Sequence, residues 1–67
     1  MVYYVFELQT GAETGSVITF SYVDRNEAES KYHNILQFAS TSNVRKHGAM
    51  LCNEDGFVIK SEMYTHD

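Results

Sequence analysis

Proline and tryptophan are absent from this 67-residue chain, cysteine occurs once, and basic residues are few. Each gap excludes something. With Cys52 as the only cysteine there is no intrachain disulfide, so the cross-linking that supports many small secreted domains is ruled out. A lone thiol in a chain rich in strand residues fits a reducing cytosol, and a cytoplasmic location is expected. No apolar run approaches the roughly 20 residues that a membrane-spanning helix needs. The opening Met1-Val2-Tyr3-Tyr4-Val5-Phe6 has neither a basic lead nor a small-residue cleavage site, so a soluble chain without a signal peptide is expected. No proline, linker, internal repeat or low-complexity run divides it, and residues 1–67 form a single domain on this reading.

Five Lys and Arg stand against nine Asp and Glu, a net charge of −4. Long nucleic acid is therefore an unexpected partner, because gripping a phosphate backbone takes a track of cations. A compact anion is not excluded. Three or four local donors hold one phosphate, and Arg45, Lys46 and His47 stand together in an otherwise acidic chain.

What is present is periodicity. Val2, Tyr4, Phe6 and Leu8 alternate with Tyr3, Val5, Glu7 and Gln9, the pattern of a half-buried strand. Thr10 to Gly15 suits a hairpin loop, and Ser16 to Tyr22 makes the return strand with Ile18, Phe20 and Tyr22 on its better buried face. Asp24-Arg25-Asn26-Glu27 has the form of a capping box, with the Asp24 oxygen accepting from the third helical N–H and Glu27 reaching back. The helix that follows carries an apolar stripe of Ala28, Tyr32, Ile35, Leu36 and Ala39, with Glu27 and Lys31 as an exposed ion pair. It ends at Ser40-Thr41-Ser42-Asn43, whose side chains compete for helical backbone bonds. Arg45 to Cys52 reads as a third strand, Asn53 to Gly56 as a turn with Gly56 at positive φ, and Phe57 to Tyr64 as the last strand. Thr65 to Asp67 reads as a frayed tail.

The expected fold is therefore α+β, in the order ββαββ, with one helix packed on one face of a four-stranded, mainly antiparallel sheet. The strand order is left open. The other face, expected to carry Tyr3, Val5, Val17, Thr19, Met50, Val58 and Tyr64, is too apolar for a solvated surface. A core of this size leaves only about 3 to 5 kcal/mol of net stability. Both considerations point to a homo-oligomer, most simply a twofold dimer that buries this face or a sheet edge.

No catalytic signature emerges, and no enzyme is expected. His33, His47, His66 and Cys52 lack the short spacings of a structural zinc site, so neither a metal nor any other cofactor is expected. Cys52 and His47, five apart on a strand, project to opposite faces and cannot form a thiol–imidazole pair. The carboxylates Glu27 with Glu29 and Glu54 with Asp55 suit a helix N-terminus and a turn. The candidate ligand site is Arg45, Lys46 and His47 together with Lys60 and Tyr64, cations for a phosphate and a ring for a base. The same charges also suit a strand edge that resists aggregation. Lys31, Tyr32 and His33 on the helix are a further source of contacts.

Three stretches carry a likeness: Asp24 to His33 with Ile35-Leu36, then His47-Gly48-Ala49-Met50, then Asp55-Gly56-Phe57 leading to Ser61-Glu62-Met63-Tyr64. With the Tyr-Tyr-Val-Phe-Glu opening, the chain resembles a group of very short proteins encoded by phages and prophages of Gram-positive bacteria. The resemblance implies a viral setting, with the host cytoplasm as the location, and transfers no binding residues. Phage proteins of this size are virion accessories, regulators or inhibitors of host defence, and one kind of inhibitor is a compact oligomer that sequesters a nucleotide signal without cleaving it. The expected function is thus a non-catalytic, oligomeric binding protein, an anti-defence sponge for a nucleotide-like molecule. The alternative is a protein-interaction module that docks its open sheet face on a host or virion protein.

Overall fold

The computed structural model describes residues 1–66 and measures 37 × 20 × 15 Å. Its elements are β1 (Tyr3–Thr10), β2 (Gly15–Tyr22), α1 (Arg25–Ala39), β3 (Lys46–Asn53) and β4 (Val58–Thr65). The strands form one sheet in the order β2-β1-β3-β4, antiparallel throughout, so each hairpin contributes an inner and an outer strand. The α+β architecture read from the sequence is the observed one.

The helix forms where its 3.6-residue stripe is clean. Ala28, Tyr32, Ile35, Leu36 and Ala39 are its buried residues, and they lie chiefly over the two central strands. Val5 and Leu51, register partners on β1 and β3, are fully buried beneath them. At the N-terminus the Asp24 carboxylate accepts from Asn26 N at 3.0 Å, one position earlier than the capping-box reading expects. At the C-terminus the exposed carbonyls find hydroxyl partners, with Ser40 Oγ donating to Gln37 O at 2.9 Å.

Four local readings are corrected. Val5 pairs with Phe20 on one side and Leu51 on the other, which turns Tyr3 and Val5 toward α1 and not toward the open face. Tyr64 faces the helix as well, opposite His47. Both faces of β1 carry large apolar residues, and the face that also holds Glu7 and Gln9 is the one that meets the helix, so its alternation defined a period without a direction. Second, plain alternation in the last strand sets Phe57, Ile59 and Met63 on one face and Val58, Lys60, Glu62 and Tyr64 on the other, but in β4 a register shift at Leu51/Cys52 admits an extra residue. Ile59 and Lys60 then both lie on the helix side, Ile59 against the core and Lys60 against Glu29, while Met63 falls on the open face.

Third, Lys31 does not serve Glu27. Its Nζ sits 4.3 Å from the centre of the Phe20 ring, and the i,i+4 ion pair of the helix is Arg25 with Glu29, 3.1 Å apart. Fourth, Thr65 belongs to β4 and His66 is tied down: its N–H donates to Arg45 O at 2.7 Å and its Nε2 lies 2.8 Å from Ala39 O, a carbonyl of the last helical turn. The remaining residue of that expected tail, Asp67, lies outside the described residues. The β3–β4 turn is as read: Gly56 has φ 81°, and the Asn53 side chain accepts from Asp55 N and Phe57 N at 2.9 and 3.0 Å.

Candidate functional site

β3 begins at Lys46, so Arg45 lies in the connection that precedes it. Its guanidinium donates through Nε and Nη2 to the Gly11 carbonyl at 3.3 and 3.1 Å, clamping that connection to the β1–β2 loop. Between the two segments lies an open cleft of about 570 Å³, walled by Arg45, Asn43, Gln9, Thr14 and Ser16. Among the described residues Arg45 is the only cation on its walls.

The other expected ligand residues disperse. Lys46 stands opposite Thr10 and Thr65 and projects from the open face, exposed. Lys60 stands opposite Leu51, on the order of 20 Å along the strand from Arg45. Its Nζ is 2.6 Å from Glu29 Oε1, and Glu29 also accepts from Arg25. The Lys60 and Arg25 hydrogen bonds hold the Glu29 carboxyl below its ordinary pKa. Only His47 and Tyr64 come together, as register partners, and the Tyr64 ring stacks on His66 with centroids 6.5 Å apart.

His47 is buried and engaged at both ring nitrogens. Nε2 lies 2.7 Å from Glu7 Oε2 and Nδ1 2.9 Å from Ser42 Oγ, while Gln9 Nε2 donates to the same Glu7 oxygen at 3.1 Å. The imidazole thus bridges the Ser42 hydroxyl and the Glu7 carboxyl group, with the direction of each bond set by the ring's tautomer and protonation. That is the hydroxyl–imidazole–carboxylate order of a hydrolase relay. Here Ser42 Oγ also accepts from Val44 N at 3.0 Å, and Ser42 is not on the cleft walls. Among the described residues no buried side-chain N or O lacks a partner, so the network closes on itself and ties the α1–β3 connection to β1. Reading the sequence missed this link. The available signal was Glu7 and Gln9 on the same strand face as Val5, two polar side chains on a face that is buried.

The remaining histidines and the thiol stay apart. His33 is exposed, with its ring edge-on to Tyr32 at 5.3 Å. Cys52 is buried and lies on the sheet face opposite His47. Among the described residues no three His, Cys, Asp or Glu side chains gather as metal ligands, and no helix is long and apolar enough to cross a membrane.

The uncovered face is formed by Tyr4, Phe6 and Leu8 of β1 with Val17, Met50 and Met63 from the other strands. Leu8, Met50, Ser61 and Met63 border a shallow depression of about 350 Å³. It lies beside Gly48, where a Cβ would overlap the Glu62 carbonyl oxygen and stand 2.8 Å from Met63 Cα. Among the described residues Lys46 is the single charged side chain that the four strands present on this face. Compared with protein families, curated proteins and solved structures, the chain matches none.

Proposed function

We propose that this is a non-catalytic, oligomeric binding protein that takes a compact nucleotide-like anion in the cleft beside Arg45. The observation that carries the reading is the Arg45 guanidinium on the wall of a cleft of about 570 Å³, within the size range of small-ligand sites. Arg45 spends Nε and Nη2 on Gly11 O and keeps its other N–H groups for a phosphate, with Asn43, Thr14 and Ser16 as neutral donors around it. Lys46 adds long-range positive potential; Lys60 and Tyr64 stand elsewhere and are not part of this cleft. In the phage setting that the sequence resembles, such a protein acts by withholding a signalling nucleotide, an anti-defence role that needs affinity and abundance and no acid–base chemistry.

The test is calorimetry with cyclic di- and trinucleotides and ADP-ribose derivatives, followed by heating the complex and identifying what is released. Recovery of intact ligand, with binding weakened by about 1.5 to 3 kcal/mol in Arg45→Ala, supports the reading. A cleaved product makes the protein an enzyme. Binding that ignores Arg45→Ala removes the site.

A second reading, a protein-interaction module, is favoured by the open face, where apolar side chains meet almost no charge. Phe6→Lys separates the two. It abolishes partner capture if the face docks a host or virion protein, and leaves nucleotide binding untouched if the cleft is the working site.

A further inference from the structure

The two outer strands differ in how they end the sheet. β4 carries Lys60 and Glu62 and the irregularity at Ile59, the devices by which natural sheets discourage edge pairing. β2 has none of them. Gly15 to Tyr22 contains no charge and no proline, and it pairs with β1 without a break from Thr10↔Gly15 to Tyr3↔Tyr22. Val17 is 57% and Ile18 43% exposed.

The backbone direction along that edge follows from one bond. Gly11 N–H donates to Thr14 O at 2.7 Å, which makes Gly11 and Thr14 a hydrogen-bonded pair at the head of the hairpin. Antiparallel alternation then turns the N–H and C=O of Ser16, Ile18, Phe20 and Tyr22 toward β1, and those of Gly15, Val17, Thr19 and Ser21 outward. The same alternation carried across the sheet requires Arg45 and His66 to pair by hydrogen bonds, and His66 N does donate to Arg45 O. A full-length row of strand donors and acceptors therefore faces away from the protein.

We infer that a second copy of this chain occupies that row, β2 pairing antiparallel with β2 across a twofold axis, and that the partner completes the Arg45 cleft. An antiparallel row is its own complement, so one chain supplies what the other lacks. Because paired residues share a face, the axis passes through a residue, and overlap of nearly the whole of Gly15–Tyr22 sets it at Ile18 or Thr19; either choice sets β-branched residues against one another. The charge balance allows it: the chain carries −4, yet β2 brings no carboxylate to the seam. Both helices fall on one side of a continuous eight-stranded sheet.

The two positions of the axis share one consequence. Opposite Ser16, on the cleft wall, stands the partner's Phe20 when the axis is at Ile18 and the partner's Tyr22 when it is at Thr19. An aromatic residue of the partner thus stands beside a cleft whose one cation among the described residues is Arg45, the pairing that holds a phosphate and stacks a base. This last step rests on the cleft being the ligand site; the dimer does not.

Sedimentation equilibrium tests the seam. The parent is expected at twice 7.7 kDa and Thr19→Lys at 7.7 kDa with unchanged circular dichroism, since Thr19 is exposed and its replacement sets two cations across the axis. Ser61→Lys, on the β4 edge, is expected to stay dimeric. A parent at single-chain mass at every concentration, a dimeric Thr19→Lys, or a Ser61→Lys that dissociates overturns the inference. Amide exchange gives a second measure: protection of Val17 and Thr19 that is lost on dilution supports the seam, and protection unchanged on dilution refutes it. With the dimer established, nucleotide binding about tenfold or more weaker in monomeric Thr19→Lys supports the shared cleft, on the scale of one lost stacked ring. Unchanged affinity in that monomer removes the partner's ring from the site, whereas loss of the Arg45→Ala effect alone would remove the cleft and leave the dimer standing.

Discussion

His47 Nε2 and Glu7 Oε2 lie 2.7 Å apart across the two central strands, joining positions 40 residues apart in the chain. They are diagonal neighbours, since Glu7 stands opposite Ala49 and His47 opposite Gln9. With Ser42 on the other ring nitrogen, the buried imidazole locks the start of β3 and the connection before it onto β1.

Removing the carboxyl group strands that imidazole. Glu7→Leu is expected to lower stability by about 1 to 3 kcal/mol, the cost of a buried polar group left without a partner, and Glu7→Gln by less because a hydrogen-bond partner remains. Urea denaturation compares them. Equal losses would assign the effect to the missing charge.

The two ends of the pH range are expected to act through different residues. Lys60 and Arg25 depress the folded pKa of Glu29 below its ordinary 4.5, so its contribution is present above that value and is lost as pH falls through the folded pKa. Burial, then the charges of Glu62 and Tyr64, raise the folded pKa of Tyr32 above 10.0. Its contribution is present below 10.0 and is lost as pH rises through the folded value. Melting temperature against pH should therefore flatten at the acid end in Glu29→Gln and at the alkaline end in Tyr32→Phe, each relative to the parent.

Gly48 is needed for its lack of a side chain and not for its φ. A Cβ there meets the backbone of Glu62 and Met63 on the neighbouring strand, which a rotamer change cannot relieve. Gly48→Ala is expected to cost about 1 to 3 kcal/mol by overpacking, read as a fall in melting temperature. Gly56→Ala is a comparison in open space, where the penalty comes only from the positive φ.

Leu36 sits in the middle of the helix stripe with no second layer behind it. Leu36→Ala is expected to lose about 2 to 5 kcal/mol, close to the whole stability of a domain with one small core. Thermal unfolding within a few degrees of the parent would contradict its place in the core.

The elements were legible in the sequence because their signals are short-range. A stripe from Ala28 to Ala39, an Asp24 cap, hydroxyls at the helix end and Gly56 in a turn each act within a few residues. The ββαββ order followed from them. β1 shows where such signals stop: Tyr4, Phe6 and Leu8 are as apolar as Tyr3 and Val5, so only pairing with Phe20 and Leu51 decided which set met the helix. The extra residue at Ile59 likewise set Lys60 on the helix side against Glu29, and its register opposite Leu51, six positions along the chain from Arg45, keeps it out of the expected cluster. Sequence by itself determined what each segment becomes, since torsional preference and periodicity are local. Tertiary structure alone decided strand order, the inward face of β1, the Glu7–His47 link and the unprotected β2 edge, because each depends on which distant backbone a strand pairs with.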